Sequence, residues 1–150
     1  MFYLIWFVLS WVFWIVFSDK NRWREIFPVS IFAVCLDSIA DIITSLYPLW
    51  NYDGNVIRIL PYIDGPGIYI VVPYLFIQWL PKQQTLLHIL KYFFIWTIFS
   101  LAFEIIHLKT GHMHYGLWWN IGWSYLADWI LFFLFYQFHS IFQLTKLSKG

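Results

Sequence analysis

Charged residues are scarce in this chain: only 11% of its 150 residues are Asp, Glu, Lys or Arg, against about 25% in an ordinary soluble domain. The net charge is +1, and because the sequence has no basic patch of useful size, we do not expect nucleic acid as a partner. Because Cys35 is the single cysteine, neither an intramolecular disulfide nor a thiolate metal site can form. Apolar residues, by contrast, make up 61% of the chain, and eleven are Trp. This composition is typical of an integral membrane protein, where Trp and Tyr collect at the membrane–water boundaries.

Five apolar segments approach or exceed the length of about 20 helical residues that a bilayer requires. The sequence therefore predicts an all-α fold, a polytopic bundle of five transmembrane helices forming a single domain over residues 1–150. The predicted helices run over Phe2–Ser18, Ile26–Trp50, about Asp64–Leu80, about Leu86–His107 and about Leu117–Phe142. Residues 51–66 and 109–116 are predicted to be connections, the first with a short interfacial segment at Val56–Leu60.

Residues at the predicted helix ends fit this division. Pro28 falls in the first turn of the second helix, where a missing backbone N–H costs nothing. Asp64 is placed to cap the third helix, and Asp19–Glu25 forms a polar loop. Phe2–Ser18 lacks a preceding basic segment and a following cleavage site, so we expect a retained helix and not a signal sequence.

Basic residues are distributed unequally between the two sides that five spans would define. One side holds Lys20, Arg22, Arg24, Lys82, Lys91, Lys146 and Lys149, whereas the other holds Arg58 and Lys109. Because basic loops stay in the cytoplasm, this asymmetry predicts an outside N-terminus and a cytoplasmic C-terminus in the cell membrane.

Polar side chains recur at helical spacing within three of the apolar segments. The candidates for a polar interior or for binding a ligand or ion are Asp37, Asp41, Glu104, Asn120, Ser124 and Asp128. Residues four apart share a helix face, and an acid at bilayer depth must face protein or trapped water. One interpretation is that the acids are neutral and fix helix register through hydrogen bonds. The other is a cation, proton or polar-ligand site open to the outside.

A second group of residues has the chemistry of metal ligands. Glu104 and His107 share a helical face, and His112 and His114 follow within a few residues, so the four could hold a divalent metal. No other cofactor is predicted. His88 and His139 are placed at the membrane boundary.

Several short sequence motifs, distributed over nearly the whole chain, indicate a resemblance to a protein family. They are Trp23-x-x-x-Phe27-Pro28, Asp37 with Asp41, Tyr47-Pro48-Leu49-Trp50, Pro73, Glu104, Leu108-Lys109-x-Gly111, Tyr115-Gly116-x-Trp118-Trp119-Asn120 and Trp123-Ser124. With these the chain resembles an uncharacterised family of small multi-pass integral membrane proteins of Bacillus- and Clostridium-like spore-forming bacteria. The resemblance implies a bacterial membrane protein and brings no established activity.

Three functions compete. We favour a non-enzymatic structural, partner-binding or sensory membrane component, whose partners are the lipid bilayer and a second copy or another membrane protein. The alternative is a small oligomeric transporter, or a cation- or proton-binding protein, that uses the intramembrane acids. A further alternative is a membrane-embedded enzyme acting on a lipid or isoprenoid, with the acids in general acid–base roles.

Overall fold

The computed structural model describes residues 2–52, 61–83 and 85–148, with the backbone alone for residues 61–66. Within them the chain is dominated by α-helix, which confirms the all-α prediction. The helices are α1 (Phe2–Phe17), α2 (Trp23–Leu46), α3 (Pro61–Gln78), α4 (Leu86–Lys109) and α5 (Ile121–Ile141). Short 3₁₀ turns precede α2 at Lys20–Arg22 and follow α5 at Leu144–Ser148.

A small antiparallel sheet, which was not predicted, links the segment after α2 to the connection between the fourth and fifth predicted helices. Strand β1 (Trp50–Tyr52) pairs with β2 (Met113–Tyr115), and Trp50 lies opposite Tyr115. The prediction that the second helix continues to Trp50 is therefore wrong. It ends at Leu46, because Tyr47 precedes Pro48 and a residue before proline disfavours helical backbone.

The start of α2 also differs from the prediction. Asp19 Oδ1 accepts a hydrogen bond from the Asn21 N–H over 3.1 Å, which caps the 3₁₀ turn that leads directly into α2 at Trp23. Pro28 consequently lies in the helix interior and not in the first turn, so the usual hydrogen bond to the Arg24 carbonyl cannot form there.

Two further helix starts were predicted incorrectly. Helix α3 begins at Pro61, a residue suited to the first helical position, so Asp64 lies inside the helix and does not cap it. Helix α5 begins at Ile121, because Leu117 has a left-handed backbone with φ of 47° that interrupts any helix there. The predicted interfacial segment Val56–Leu60 lies outside the described residues.

The chain divides into two compact units. The first comprises Met1–Ser38, Arg58–Leu80 and Leu134–Gly150, and the second comprises Ile39–Ile57 and Pro81–Phe133. Helices α2 and α5 are therefore each divided between the two units.

In the first unit, α1 packs along α3. Their close approach occurs at Gly67, where an added Cβ would lie 3.0 Å from the Phe7 ring. Gln78 at the end of α3 binds the turn that follows α1: its Oε1 accepts the Asp19 N–H over 2.6 Å, and its Nε2 donates to the Phe17 carbonyl over 2.8 Å. The Tyr74 hydroxyl donates to the Asp19 carbonyl over 2.8 Å. Two helices are thus fastened to one turn.

In the second unit, α4 packs against the first part of α5 through aromatic rings. Phe93 meets Trp129 with ring centroids 6.0 Å apart, and Trp96 meets Phe132 at the same separation. The β1–β2 sheet lies beside the end of α4, and its Met113 is buried.

Two helical segments of the described chain are long and apolar enough to cross a bilayer. They are Lys20–Leu46 and Leu86–Lys109. Their most apolar 18-residue stretches have mean hydropathies of 2.0 and 1.8, respectively. Shorter apolar helices cover Phe2–Phe17 and Gly67–Gln78.

Candidate functional site

Glu104, near the end of α4, accepts hydrogen bonds from side chains on two other elements of the second unit. The Tyr115 hydroxyl of β2 donates to Glu104 Oε1 over 2.8 Å, and the Ser124 hydroxyl of α5 donates to the same oxygen over 2.6 Å. Trp119 Nε1 donates to Ser124 Oγ over 2.9 Å. These four side chains, the Glu104 cluster, join α4, β2 and the first turn of α5 through one carboxylate.

The backbone of the sheet positions Tyr115 for this contact. The next residue, Gly116, donates its N–H to the Leu49 carbonyl over 2.8 Å. A Cβ on Gly116 would lie 2.3 Å from the Pro48 carbonyl oxygen, so only glycine allows this approach. Burial raises the pKa of Tyr115 to about 12, and the neighbouring Glu104 carboxylate acts in the same direction. Tyr115 is therefore a hydrogen-bond donor at neutral pH.

Asn120, predicted to belong to the polar interior, instead caps α5. Its side chain is exposed, and its Oδ1 accepts the Gly122 N–H over 2.9 Å. Its carbonyl accepts the Ser124 N–H over 3.1 Å. Asparagine at this position satisfies a backbone donor that the helix leaves open. The predicted Asn120–Ser124–Asp128 stripe thus begins with a capping residue.

Asp128 lies one helical turn beyond Ser124 on α5. Ser100 of α4 hydrogen-bonds to its carboxyl group, and Glu104 is close enough to interact with it electrostatically. Within the described part of the chain, Asp128 Oδ2 is buried without a hydrogen-bond partner. The structure therefore brings together three of the predicted interior residues, Glu104, Ser124 and Asp128.

The two acids of α2 are both half-buried. Asp37 lies in the first unit and Asp41 in the second. Among the described residues, Asp41 makes no hydrogen bond or ion pair. A common interior for the acids of α2, α4 and α5 stays a prediction.

Two of the histidines predicted to bind a metal have hydrogen-bond partners other than the predicted ligands. The Nδ1 atom of buried His107 lies 2.9 Å from the Phe103 carbonyl, and His112 Nδ1 lies 3.0 Å from Thr110 Oγ1. His114 is exposed on β2, opposite Asn51. Among the side chains that the structure describes, in residues 2–52, 67–83 and 85–148, no group of three or more His, Cys, Asp or Glu is placed to hold a metal ion. A divalent-metal site at Glu104, His107, His112 and His114 therefore stays a prediction.

A second polar cluster, in the first unit, was not predicted. Glu25 is fully buried, and Arg22 binds both of its carboxylate oxygens, Nε to Oε2 over 2.9 Å and Nη2 to Oε1 over 2.7 Å. Buried His139 places its Nε2 2.9 Å from Glu25 Oε1. Arg22 Nη1 also donates to the Gln78 carbonyl over 3.2 Å. We call Arg22, Glu25 and His139 the Glu25 cluster.

Treating Asp19–Glu25 as a polar loop was wrong for Glu25, which is part of α2 and of the core. The contact between Arg22 and Glu25 could have been predicted from the sequence, because residues three apart at a helix start are neighbours. Nothing in the sequence pairs either residue with His139, which is 114 residues away from Glu25.

No family model matches the chain, and no curated protein and no solved structure matches it.

Proposed function

We propose that the chain is a small multi-pass integral membrane protein of the bacterial cytoplasmic membrane, serving as a structural or partner-binding component. In this proposal its N-terminus lies outside and its C-terminus in the cytoplasm, since the basic residues favour that orientation. The resemblance described above supports a bacterial membrane protein. Its polar side chains serve to hold the helices in one register.

Outward-facing apolar side chains support the membrane location. Along α1, Leu4, Val8 and Val16 are 49%, 50% and 65% exposed. In the most apolar 18-residue windows of Lys20–Leu46 and Leu86–Lys109, only 22% and 28% of residues are buried. A soluble protein rarely exposes contiguous apolar surface of this kind, whereas lipid solvates it.

The observation that carries the structural role is the Glu104 cluster. The Glu104 carboxylate has neutral hydroxyl donors from β2 and α5, and Ser124 has its own donor in Trp119. A polar group within an apolar helix that finds such partners fastens its neighbours in place. Satisfied hydrogen bonds are what a structural role requires of a buried acid.

A second candidate function is supported by Asp128. Its buried Oδ2 has no partner among the described residues, and Glu104 lies nearby. A buried carboxylate oxygen of this kind is suited to exchanging a proton or contacting a cation. We propose this as the alternative, with an oligomer formed from copies of the chain as the transporting unit.

Substitution of Glu104 separates the two candidates. Glu104→Gln keeps an acceptor for Tyr115 and Ser124, so we expect its free energy of unfolding in detergent micelles to stay within about 1 kcal/mol of wild type. Glu104→Leu leaves the hydroxyls of buried Ser124 and partly buried Tyr115 without their acceptor, and we expect a loss of about 1–3 kcal/mol. Lys91→Leu, at an exposed position of the same helix, is the matched control and should change little.

The transport alternative predicts different results from the same proteins. If wild type in liposomes conducted protons or a cation, and both Glu104→Gln and Asp128→Asn abolished that flux, the structural role would be insufficient.

The membrane location is tested separately. Wild-type protein should stay with membranes after extraction at high pH, and reporter fusions should place its C-terminus in the cytoplasm. Release into the soluble fraction would contradict the proposal.

A further inference from the structure

An apolar groove runs along the outside of the first unit. It lies between the first half of α2, the end of α5 and the 3₁₀ turn that follows α5, and its volume is about 650 Å³. Its lining includes Trp23, Arg24, Ile31, Phe32, Phe138 and Leu147. The Phe32 and Phe138 rings are stacked, with centroids 4.4 Å apart and planes 10° apart. Apart from Arg24, the side chains that line it are apolar.

The groove has a charged end and an apolar end. Arg24 and Phe32 are eight residues apart on α2, which corresponds to roughly 12 Å along the helix axis. One leaflet of a bilayer contributes roughly 15 Å of hydrocarbon. A groove with this orientation and length matches one acyl chain that enters from the membrane surface.

Arg24 is available at the charged end. Its side chain is exposed, and its guanidinium lies over the Trp23 ring at 5.8 Å. Among the residues that the structure describes, it has no hydrogen-bond or ion-pair partner. The neighbouring Arg22, by contrast, is engaged by Glu25 and the Gln78 carbonyl. A guanidinium without a protein partner is suited to bidentate contact with phosphate oxygens.

Other charges at this end add to the attraction of an anion. Lys20 belongs to the turn before α2, and exposed Lys146 is the neighbour of Leu147. Of the two acids nearby in sequence, Glu25 is already bound by Arg22, and Asp19 remains. A headgroup with a net negative charge is favoured here over one that carries its own cation.

We propose that this groove binds an anionic phospholipid, with one acyl chain along α2 and α5 and the phosphate at Arg24. This inference rests on the membrane location given under Proposed function. A lipid suits the groove better than a partner helix, because close helix packing in membranes uses Gly, Ala, Ser and Thr. None of these residue types occurs among its lining residues.

Native mass spectrometry of the full chain in detergent micelles tests the proposal, with phosphatidylglycerol and phosphatidylcholine of identical acyl chains as probes. Wild type should retain phosphatidylglycerol preferentially. Arg24→Ala should lower its retention about fivefold, the effect of removing one cation that contacts an anionic headgroup. Ile31→Trp, which fills the groove, should lower the retention of both lipids.

Two variants serve as controls because they make similar changes outside the groove. Lys109→Ala removes an exposed cation at the end of α4, and Ile98→Trp enlarges a side chain that is 47% exposed. Neither should alter lipid retention. Circular dichroism of every variant should match wild type, and Arg24→Lys should restore part of the preference if folding alone is not the cause.

Three outcomes would overturn the lipid assignment. Wild type could retain both lipids equally, or the groove variants could retain as much phosphatidylglycerol as the controls. If wild type formed a dimer and retained no lipid, and if Ile31→Trp dissociated that dimer, the groove would be the binding site for a second copy of the chain. If the protein stays in membranes after extraction at high pH yet shows no lipid preference, only this inference fails. Release into the soluble fraction overturns the membrane location as well.

Discussion

The Glu25 and Glu104 clusters bury the same type of side chain in two different ways. Glu25 is fully buried and is bound by a guanidinium, with an imidazole as a second partner. Glu104 is only partly buried and is bound by two hydroxyls. The ionic cluster needs charge compensation, because a lone buried carboxylate is far more costly than a lone hydroxyl. The Glu104 cluster, whose donors are neutral hydroxyls, needs correct placement of those donors.

The two clusters also differ in where their partners lie along the chain. Arg22 is three residues from Glu25, and His139 is 114 residues from it. The partners of Glu104 are 11 and 20 residues away, on β2 and α5. The first cluster therefore ties the start of α2 to the end of α5. The second fastens one local segment, from the end of α4 through β2 to the first turn of α5.

The largest effect is expected from removing the charged partner of Glu25. Arg22→Met leaves a buried carboxylate without its guanidinium partner, and should lower the free energy of unfolding by about 3–5 kcal/mol. The measurement is equilibrium unfolding in a non-ionic detergent, followed by tryptophan fluorescence. Arg24→Met, with no polar partner to lose among the described residues, is the control and should change stability by less than about 0.5 kcal/mol.

A double variant tests whether charge is the cause. In Arg22→Met with Glu25→Met no buried charge is left at these two positions, so much of the lost stability should return. A double variant that is no more stable than Arg22→Met would mean that packing, and not charge compensation, dominates this cluster.

A smaller effect is expected where the Glu104 cluster depends on the position of the backbone. In Gly116→Ala the new Cβ would meet the Pro48 carbonyl, a backbone atom that cannot rotate away. The sheet must shift and carry Tyr115 with it, so we expect a loss of about 1–3 kcal/mol in the same unfolding measurement. His114→Ala, at an exposed position of the same strand, should be nearly neutral. Equal stability of Gly116→Ala and wild type would show that the sheet is not what positions Tyr115.

The smallest effect is expected at the cap of α5. Asn120→Ala removes the acceptor for the Gly122 N–H and should cost about 1 kcal/mol. Asn120→Asp supplies an equivalent acceptor and should retain most of that stability. If both variants were equally unstable, capping would not explain the role of Asn120, and a place for its amide in the polar interior would have to be reconsidered.

The helices were predictable because hydrophobic length alone defines them. Four predicted helix ends, at Phe2, Ser18, Leu86 and Phe142, lie within one residue of the observed ends. The misplaced ends depend on local backbone chemistry. Leu117 adopts positive φ although it is not glycine, and Pro28 lies in a helix interior. At both positions, the usual backbone preference of the residue predicts a conformation other than the one observed.

The polar interior was predictable in part. Spacing of three and four residues identifies a shared helix face, and the structure indeed brings Glu104 and Ser124 into hydrogen-bond contact. The spacing carries no information on strands, so Tyr115 as a partner of Glu104 was missed. Glu25 was missed because it stands beside charged residues and was assigned to their loop. Its burial depends on Arg22 and on an imidazole from the far end of the chain.

The contacts of Gln78 have a consequence for biogenesis. In the turn between α1 and α2, the Phe17 carbonyl and the Asp19 N–H both form hydrogen bonds with the side chain of Gln78. This residue lies 59 positions beyond Asp19 in the sequence. During translation the first two helices therefore emerge long before the group that completes their turn. Until α3 has been synthesised, these two groups cannot make their final hydrogen bonds, so the turn between α1 and α2 reaches its final form only afterwards.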